Sequence, residues 1–516
     1  MSAITRAAPA TGRTARLALL GVIGLASLLG YLAARGVGDL RADTPGFEVA
    51  YLATFALYLL AVVVVLRLTP TAGSPLPALA LIAVFGLLFR ALLLPMPPTL
   101  SDDMFRYVWD GRVQAAGLSP YRYPPSAPQV AGLHAGDQTI WPHINRQDAI
   151  TVYPPGAQIA FALIWRIAGN SVTGFKTAFV LAELAGGLAL LGLLRALGQP
   201  LERVLIYLWS PLLVFEVAHS GHVDGLMLPL LILAFWARVK NRPWLLGLAL
   251  GAATLVKLFP LILVPALLPI GLAGSWRTHW RARLVPAAKM LLAFSAIMAA
   301  AYVPYLIQPG AAVGFLPKYF DENFNLGLAK GLFVLAPHLG LSGARLANGV
   351  TFGGLAVLGA LFVLRPAADA RAALSRCVWL IAWFTLFTQN LFPWYLLWLL
   401  PLIVLFLEPG AVLGFKLSAS TAWLVYCGSA ALAYMFFIKW RVITWSQVAE
   451  FAPLYLLLAL ALLPRARASL GRAFSFWPER QAVTQPIPGA AGLLTQTKDQ
   501  ESQGAAALRG SEQSAP

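Results

Sequence analysis

The residues best suited to chemistry lie in one polar stretch, SDDMFRYVWDGRVQAAGLSPYRYPP, which runs from Ser101 to Pro125 between apolar runs. Two adjacent carboxylates, Asp102 and Asp103, open it. A carboxylate at the water-facing mouth of a membrane cavity can take a proton from a hydroxyl, and a neighbouring like charge tunes its pKa. Arg106 and Arg112 offer positive charge to a phosphate, while Tyr107, Trp109 and Tyr121 offer flat faces to sugar rings or lipid headgroups. Solvated aspartates in an interfacial aromatic belt would have the same composition, so spacing alone leaves both readings open.

Further polar residues interrupt apolar sequence downstream. His219, His222 and Asp224 form a compact group; histidines at i and i+3 can share a helical face, but the set matches no recognised metal pattern, and no metal ligand is assigned. Hydrogen bonds to sugar or acceptor hydroxyls suit the group, as does a self-satisfied polar network. Lys257 sits within apolar residues 252–264, where a bare ammonium is costly. It can meet a donor phosphate, snorkel to the interface, or pair with Glu216 or Asp224. Gln389 and Asn390 supply amides, and Trp394 and Tyr395 aromatic faces. Asn323 and Asn325, near Tyr319, Asp321 and Glu322, are further candidates of the same kind. Glu183 reads as a buried, hydrogen-bonded carboxyl.

The elements that position these groups follow from composition. Of 516 residues, 59% are hydrophobic and 11% charged, and mean hydropathy is +0.73. Soluble domains carry roughly 25% charged residues, so a soluble fold is excluded. The expected class is an all-α polytopic membrane protein. The net charge of +17 suits loops at an anionic cytoplasmic leaflet, with membrane lipids rather than nucleic acid as partners. Cys377 and Cys427 fall in apolar segments and read as packing residues.

Residues 1–16 are expected to form a cytoplasmic N-terminus, 17–463 the transmembrane domain, and 464–516 a basic, largely disordered cytoplasmic tail. Spans over 17–34, 47–66 and 77–94, the first read as retained rather than cleaved, put the polar stretch of about 95–155 on the outer face. A second outer loop is expected at 308–345. Residues 156–168 are short for a span and are read as an interfacial helix; 175–194 suffice to cross. Basic clusters at 238–242, 277–283 and 365–376 then face the cytoplasm, although Arg35, Arg41, Lys439 and Arg441 fall outside. Three long apolar stretches, broken at 219–224, 257–260 and 389–395, read as hairpins with outward apices, since irregular backbone at membrane depth needs a protein or water lining. The tally is about fourteen spans with several broken helices.

The motif Asp102-Asp103-x-x-Arg106-Tyr107-x-Trp109-Asp110-Gly111-Arg112, with Gly117-x-Ser119-Pro120-Tyr121 and Val152-Tyr153-Pro154-Pro155, resembles the first outer loop of GT-C fold glycosyltransferases that use polyprenyl-phosphate sugars. It is most similar to bacterial polyprenyl-phosphate-mannose-dependent mannosyltransferases, near glycosyltransferase family 87. The resemblance extends through Ser220-Gly221-His222-Val223-Asp224, Lys257-x-x-Pro260 and Asn390-x-x-Pro393-Trp394-Tyr395, over roughly residues 95 to 405. It implies that Asp102 or Asp103 is the catalytic carboxylate, with Asp102 slightly preferred. Lys257, Arg106 and Arg112 would meet the donor phosphate. Tyr107, Trp109, Tyr121, His219, His222, Asp224, Asn323, Gln389, Asn390, Trp394 and Tyr395 would bind sugar or acceptor.

What the resemblance implies is inverting hexosyl transfer, with mannose as the expected sugar, from a polyprenyl phosphate to a lipid or glycan acceptor at the outer side of the plasma (inner) membrane. No cofactor is required, although the acidic pair is compatible with a divalent metal, and no Gly-rich nucleotide loop is evident. The chain departs from the usual pattern in having three spans before the loop instead of one, which preserves parity. A secondary transporter or lipid-linked glycan flippase is the competing class, because broken helices with intramembrane polar groups serve transport as well. A ligase or polymerase joining whole lipid-linked glycans is a third.

Overall fold

The computed structural model describes residues 10–67, 74–271, 276–306, 314, 316–319 and 322–462. The expected tail at 464–516, the first nine residues and Asp321 lie outside the described residues. The chain folds as helices. Three long ones come first: α1 (Ala10–Val37), α2 (Thr44–Arg67) and α3 (Leu76–Leu93). The first loop follows and contains α4 (Asp103–Ala115). Next come α5 (Pro155–Ala168), α6 (Val172–Ala196), α7 (Asp224–Val239), α8 (Pro243–Val256), α9 (Trp276–Leu306), α10 (Gly343–Leu364), α11 (Ala370–Phe387), α12 (Ala419–Ser429) and α13 (Thr444–Leu462).

Eight helical segments of the described residues are long and apolar enough to cross a bilayer: Thr14–Val37, Thr44–Arg67, Leu76–Leu93, Val172–Ala196, His279–Leu306, Gly343–Leu364, Ala370–Phe387 and Ala419–Ile438. The difference from the fourteen expected has a physical origin. The polar breaks stop helices early, so α7 has 16 residues and α8 has 14, each below the roughly 20 that a straight crossing requires. At 14 residues α5 is likewise too short to span.

In hydrocarbon, helices gain little from apolar contact alone and rely on close packing and polar ties. Both are present. Gly24 faces the Phe85 ring and Gly30 faces Thr54, positions where a Cβ would collide, so α1 lies close against α3 and α2. Tyr58 donates its hydroxyl hydrogen bond to the Ile206 carbonyl and Tyr51 to that of Cys427, both at 2.7 Å. Glu183 on α6 is the buried, bonded carboxyl expected of it. The Arg90 guanidinium on α3 grips it at 2.7 and 2.8 Å, with both side chains excluded from solvent, and also donates to the carbonyls of Gly86 and Leu208.

Because a lone buried charge is far costlier than a pair, Arg90→Leu should destabilise the fold by about 3–5 kcal/mol. The double change Arg90→Leu with Glu183→Leu should recover most of that loss. Thermal unfolding of the detergent-solubilised protein checks it, and equal stability of the single and double variants would contradict the pairing.

Candidate active site

Asp102 occupies the N-cap of α4 and Asp103 its first turn, where the helix dipole favours negative charge. An N-cap aspartate ordinarily bonds the amides of the first turn. Asp102 does not. Its carboxylate is held by Arg41, from the α1–α2 turn, with Nη2–Oδ1 at 2.8 Å and Nη1–Oδ2 at 3.2 Å. Asp103, one residue on, has a different environment. It accepts hydrogen bonds from Tyr153 Oη at 3.2 Å, Asn145 Nδ2 at 3.1 Å and Tyr107 Oη at 3.5 Å. Among the described residues no cation lies within ion-pair distance of it.

The loop that presents these groups is rigid for reasons written in α4. Residues three, four and seven beyond Asp103 share its helical face. Arg106 pairs with Asp110 at 2.7 Å and donates to the Ala149 carbonyl, and Gln158 of α5 donates to Asp110 and to Thr151. Tyr107 stacks on Phe161, and Gly111 lets the backbone of α5 come within reach of α4, where a Cβ would lie 2.6 Å from the Phe161 carbonyl. Burial, and then the charge of Asp103, push the Tyr107 and Tyr153 phenols far above their ordinary pKa. Both therefore remain donors to Asp103 at any working pH.

The three helix breaks meet at one carboxylate. Asp224 is fully buried at the start of α7. Lys257, just past the end of α8, bonds its two oxygens at 2.8 and 3.0 Å, and Trp398, from the third break, donates Nε1–H at 2.6 Å. Of the two partners expected for Lys257, the structure selects Asp224. The ammonium also sits 5.2 Å from the ring centres of both Tyr395 and Trp398. Tyr395 shares a 2.6 Å hydroxyl contact with Tyr319 and lies within electrostatic reach of both Asp103 and Asp224. Tyr107 faces the Val223 backbone, and Met104 packs against Gly221, whose φ of +74° and lack of a Cβ allow the close approach. Asp103 and Lys257 thus belong to one cluster.

Other expected residues divide between that cluster and the scaffold. His222 stacks on Trp394 at 3.9 Å, and its Nδ1 meets Glu216 at 3.0 Å; Tyr434 donates to the same carboxylate at 2.8 Å. His219 contacts Thr99 Oγ1 at 3.4 Å. Gln389 and Asn390 pair their backbone with Phe324 of the second loop, and Asn390 Nδ2 reaches the Tyr319 carbonyl. Asn325 is buried and donates to Glu450, whereas Asn323 is exposed and does not join the cluster. Arg106 and Arg112, expected at the phosphate, have their ionic partners inside the loop instead: Asp110 for the first, Asp137 at 2.6 Å for the second. Trp109, expected as a sugar platform, packs against Arg112 and His134, off the Asp103 face of α4. Tyr121 is buried and donates to the Tyr153 carbonyl at 2.6 Å, so it positions Tyr153.

A membrane-helical chain with paired acids on a structured loop, facing broken helices, narrows the field, and comparison decides the family. The sequence signature of the alpha-(1→6)-mannopyranosyltransferase N-terminal domain matches residues 15–273, half of the chain. The chain belongs to that family. It is a membrane protein of a mannosyltransferase family, in agreement with the mannosyltransferase resemblance of the first loop. A comparison with curated proteins finds no match.

Sequence reasoning missed Arg41, Asn145 and Trp398 and gave no role to Tyr153 or Tyr319. The available signal for Arg41 was its placement on the side where the positive-inside rule disfavours it. Tyr153→Phe should lower mannosyl transfer about tenfold and cost about 1.5–3 kcal/mol of stability, because one hydrogen bond to a charged group is lost. Transfer kinetics with parallel unfolding curves check it.

Asp137 gives a second test. Against burial, which pushes its pKa up, the amides of Thr139 and Ile140 and the Arg112 guanidinium hold it well below the carboxylate range. A depressed folded pKa means stability present above the unfolded value near 3.8 and lost as pH falls through and below it. Unfolding temperatures measured from pH 6 down to 3 should fall less steeply in Asp137→Asn than in the wild type.

Proposed function

We propose that the chain transfers mannose from a polyprenyl-phosphate donor to a hydroxyl of a lipid or glycan acceptor, on the extracytoplasmic side of the plasma (inner) membrane, with inversion at the anomeric carbon. The observation that carries this reading is the environment of Asp103: a partly open carboxylate with no cation within ion-pair distance among the described residues, oriented by two phenols and an amide, in the same cluster as the Lys257–Asp224 pair. Such a group suits a general base. Asp102, neutralised by Arg41, suits it less, which reverses the preference drawn from the sequence.

In the proposed step, Asp103 takes the proton of the acceptor hydroxyl. The acceptor oxygen bonds to the anomeric carbon as the bond from that carbon to the phosphate oxygen breaks, and polyprenyl phosphate departs with the electron pair. A single displacement inverts configuration, so an α-product of the kind named for the family requires a β-linked donor. The (1→6) linkage named for the family, extended to this chain, makes the attacking group a primary hydroxyl. Lys257, held by Asp224 under the Tyr395 and Trp398 rings, supplies positive charge for the leaving phosphate. The ring pair of His222 and Trp394 and the amides of Gln389 and Asn390 offer a face and donors to the sugars. Cationic side chains suffice for the phosphate in this scheme, and no metal is called on.

Sidedness is supported by the hairpins. Arg238, Lys240 and Arg242 fall at the turn between α7 and α8, the end opposite Asp224 and Lys257. Arg365 falls between α10 and α11 and Arg371 in the first turn of α11, opposite Thr388. Basic turns favour the cytoplasm, which leaves the cluster on the other side.

Membranes carrying each variant, supplied with labelled polyprenyl-phosphate mannose, test the reading. Asp103→Asn should reduce transfer by at least about 100-fold, the scale of a lost general base. Asp102→Asn should retain more activity than Asp103→Asn. Lys257→Met should raise the donor KM. Full transfer by Asp103→Asn would remove it as the base.

A further inference from the structure

The α1–α2 turn lies within the residues that match the family signature. Its placement is highly determined. Gly38, with φ of +78°, ends α1 in the left-handed conformation. Asp39 Oδ1 accepts from the amides of Arg41 and Ala42 at 2.9 and 3.2 Å. Leu40 is fully buried, and its amide donates to Thr99 Oγ1 at 3.1 Å, the same hydroxyl that meets His219. The Arg41 side chain is fixed in turn: Nε donates to the Thr99 carbonyl at 2.6 Å, both terminal nitrogens hold Asp102, and the guanidinium stacks 4.8 Å from the centre of the Phe437 ring.

A guanidinium has five N–H groups. These contacts use three, which leaves one on each terminal nitrogen. The side chain keeps 23% of its surface exposed, beside an Asp102 that keeps 36%. The other cations near the acidic pair are differently committed. Arg106 and Arg112 are almost buried in ion pairs within the loop, Arg146 pairs with Glu322 of the second loop, and Lys257, the phosphate cation of the preceding section, is tied to Asp224 and not to the acidic pair itself. An anionic donor approaching two adjacent carboxylates needs a cation directly against them. Arg41 is the guanidinium bonded there, and it is half of the pair geometry that suits phosphate oxygens.

We propose that Arg41 is a ligand of the donor's phosphate: it neutralises Asp102 and directs a remaining terminal N–H group to a phosphate oxygen of the lipid-linked sugar. The N-terminal hairpin thereby contributes directly to the donor site. This assignment rests on the lipid-phosphate donor of the preceding section.

The test uses the full chain in lipid nanodiscs with labelled polyprenyl-phosphate mannose, comparing wild type, Arg41→Gln, Arg41→Lys and Arg41→Gln combined with Asp102→Asn. Loss of a charge-assisted phosphate contact should raise the donor KM about tenfold or more in Arg41→Gln, with a smaller change in kcat, and Arg41→Lys should recover part of the loss. Restoring charge balance with Asp102→Asn should leave the donor KM of Arg41→Gln elevated. An unchanged donor KM in Arg41→Gln overturns the proposal, and so does rescue in the double variant, which would limit Arg41 to neutralising Asp102. If Arg41→Gln does not fold, Arg41→Lys carries the test: its donor KM should rise several-fold because an ammonium cannot hold Asp102 with both terminal nitrogens and still direct an N–H to the phosphate, and a wild-type value overturns the proposal. A wild-type protein that does not transfer from this donor removes the donor reading and the Arg41 assignment with it. A wild type that transfers while the Arg41 variants keep its donor KM removes the assignment alone.

Discussion

The buried carboxylate of Asp224 is the contact on which the arrangement depends. It begins α7, accepts both an ammonium from the end of α8 and an indole N–H from the segment before α12, and so draws three interrupted segments to one point. Charge at membrane depth is tolerated only with such company. The requirement works in both directions: the polar residues that break the helices are also those that tie the broken ends together. Without Asp224, Lys257 would have no counter-charge, and Tyr395 and Trp398 would line a gap instead of covering an ion pair.

Two adjacent aspartates come to differ because neighbouring positions at a helix start point in different directions. The N-cap side chain faces the α1–α2 turn and meets a guanidinium, while that of the first helical residue faces α5 and the segment before it and meets neutral donors. Like charges placed side by side would ordinarily compete for protonation. Here one is compensated directly and the other is left to hydrogen bonds, which separates their chemistry without any difference in residue type.

Much of this was legible in the sequence. Apolar run length located the second and third helices to within three residues, because bilayer thickness fixes helix length regardless of tertiary detail, while α1 begins seven residues before its expected span. The positions of the three breaks were equally plain, since Lys257, Asp224 and Pro393 cannot continue an apolar helix unnoticed. Partner choice was not legible. Arg106 and Arg112 look identical to phosphate ligands until Asp110, seven positions from Asp103, and Asp137, at the far side of the loop, are seen to take them. Trp109 was misjudged because its position off the Asp103 face becomes decisive only once α5 is known to cover α4. Arg41 was hidden by sequence separation: it stands 61 positions from Asp102, and no local pattern encodes that meeting.

The pairing of Arg90 with Glu183 has a bearing on synthesis as well as on the finished protein. The two residues are 93 positions apart, so at about 5–20 residues per second the arginine leaves the ribosome roughly 5–20 s ahead of its partner. During that interval α3 carries, in its last turn, a cation whose counter-charge has yet to be made. Until α6 arrives, what the helix itself offers that side chain is the Gly86 carbonyl and a short reach to the interface.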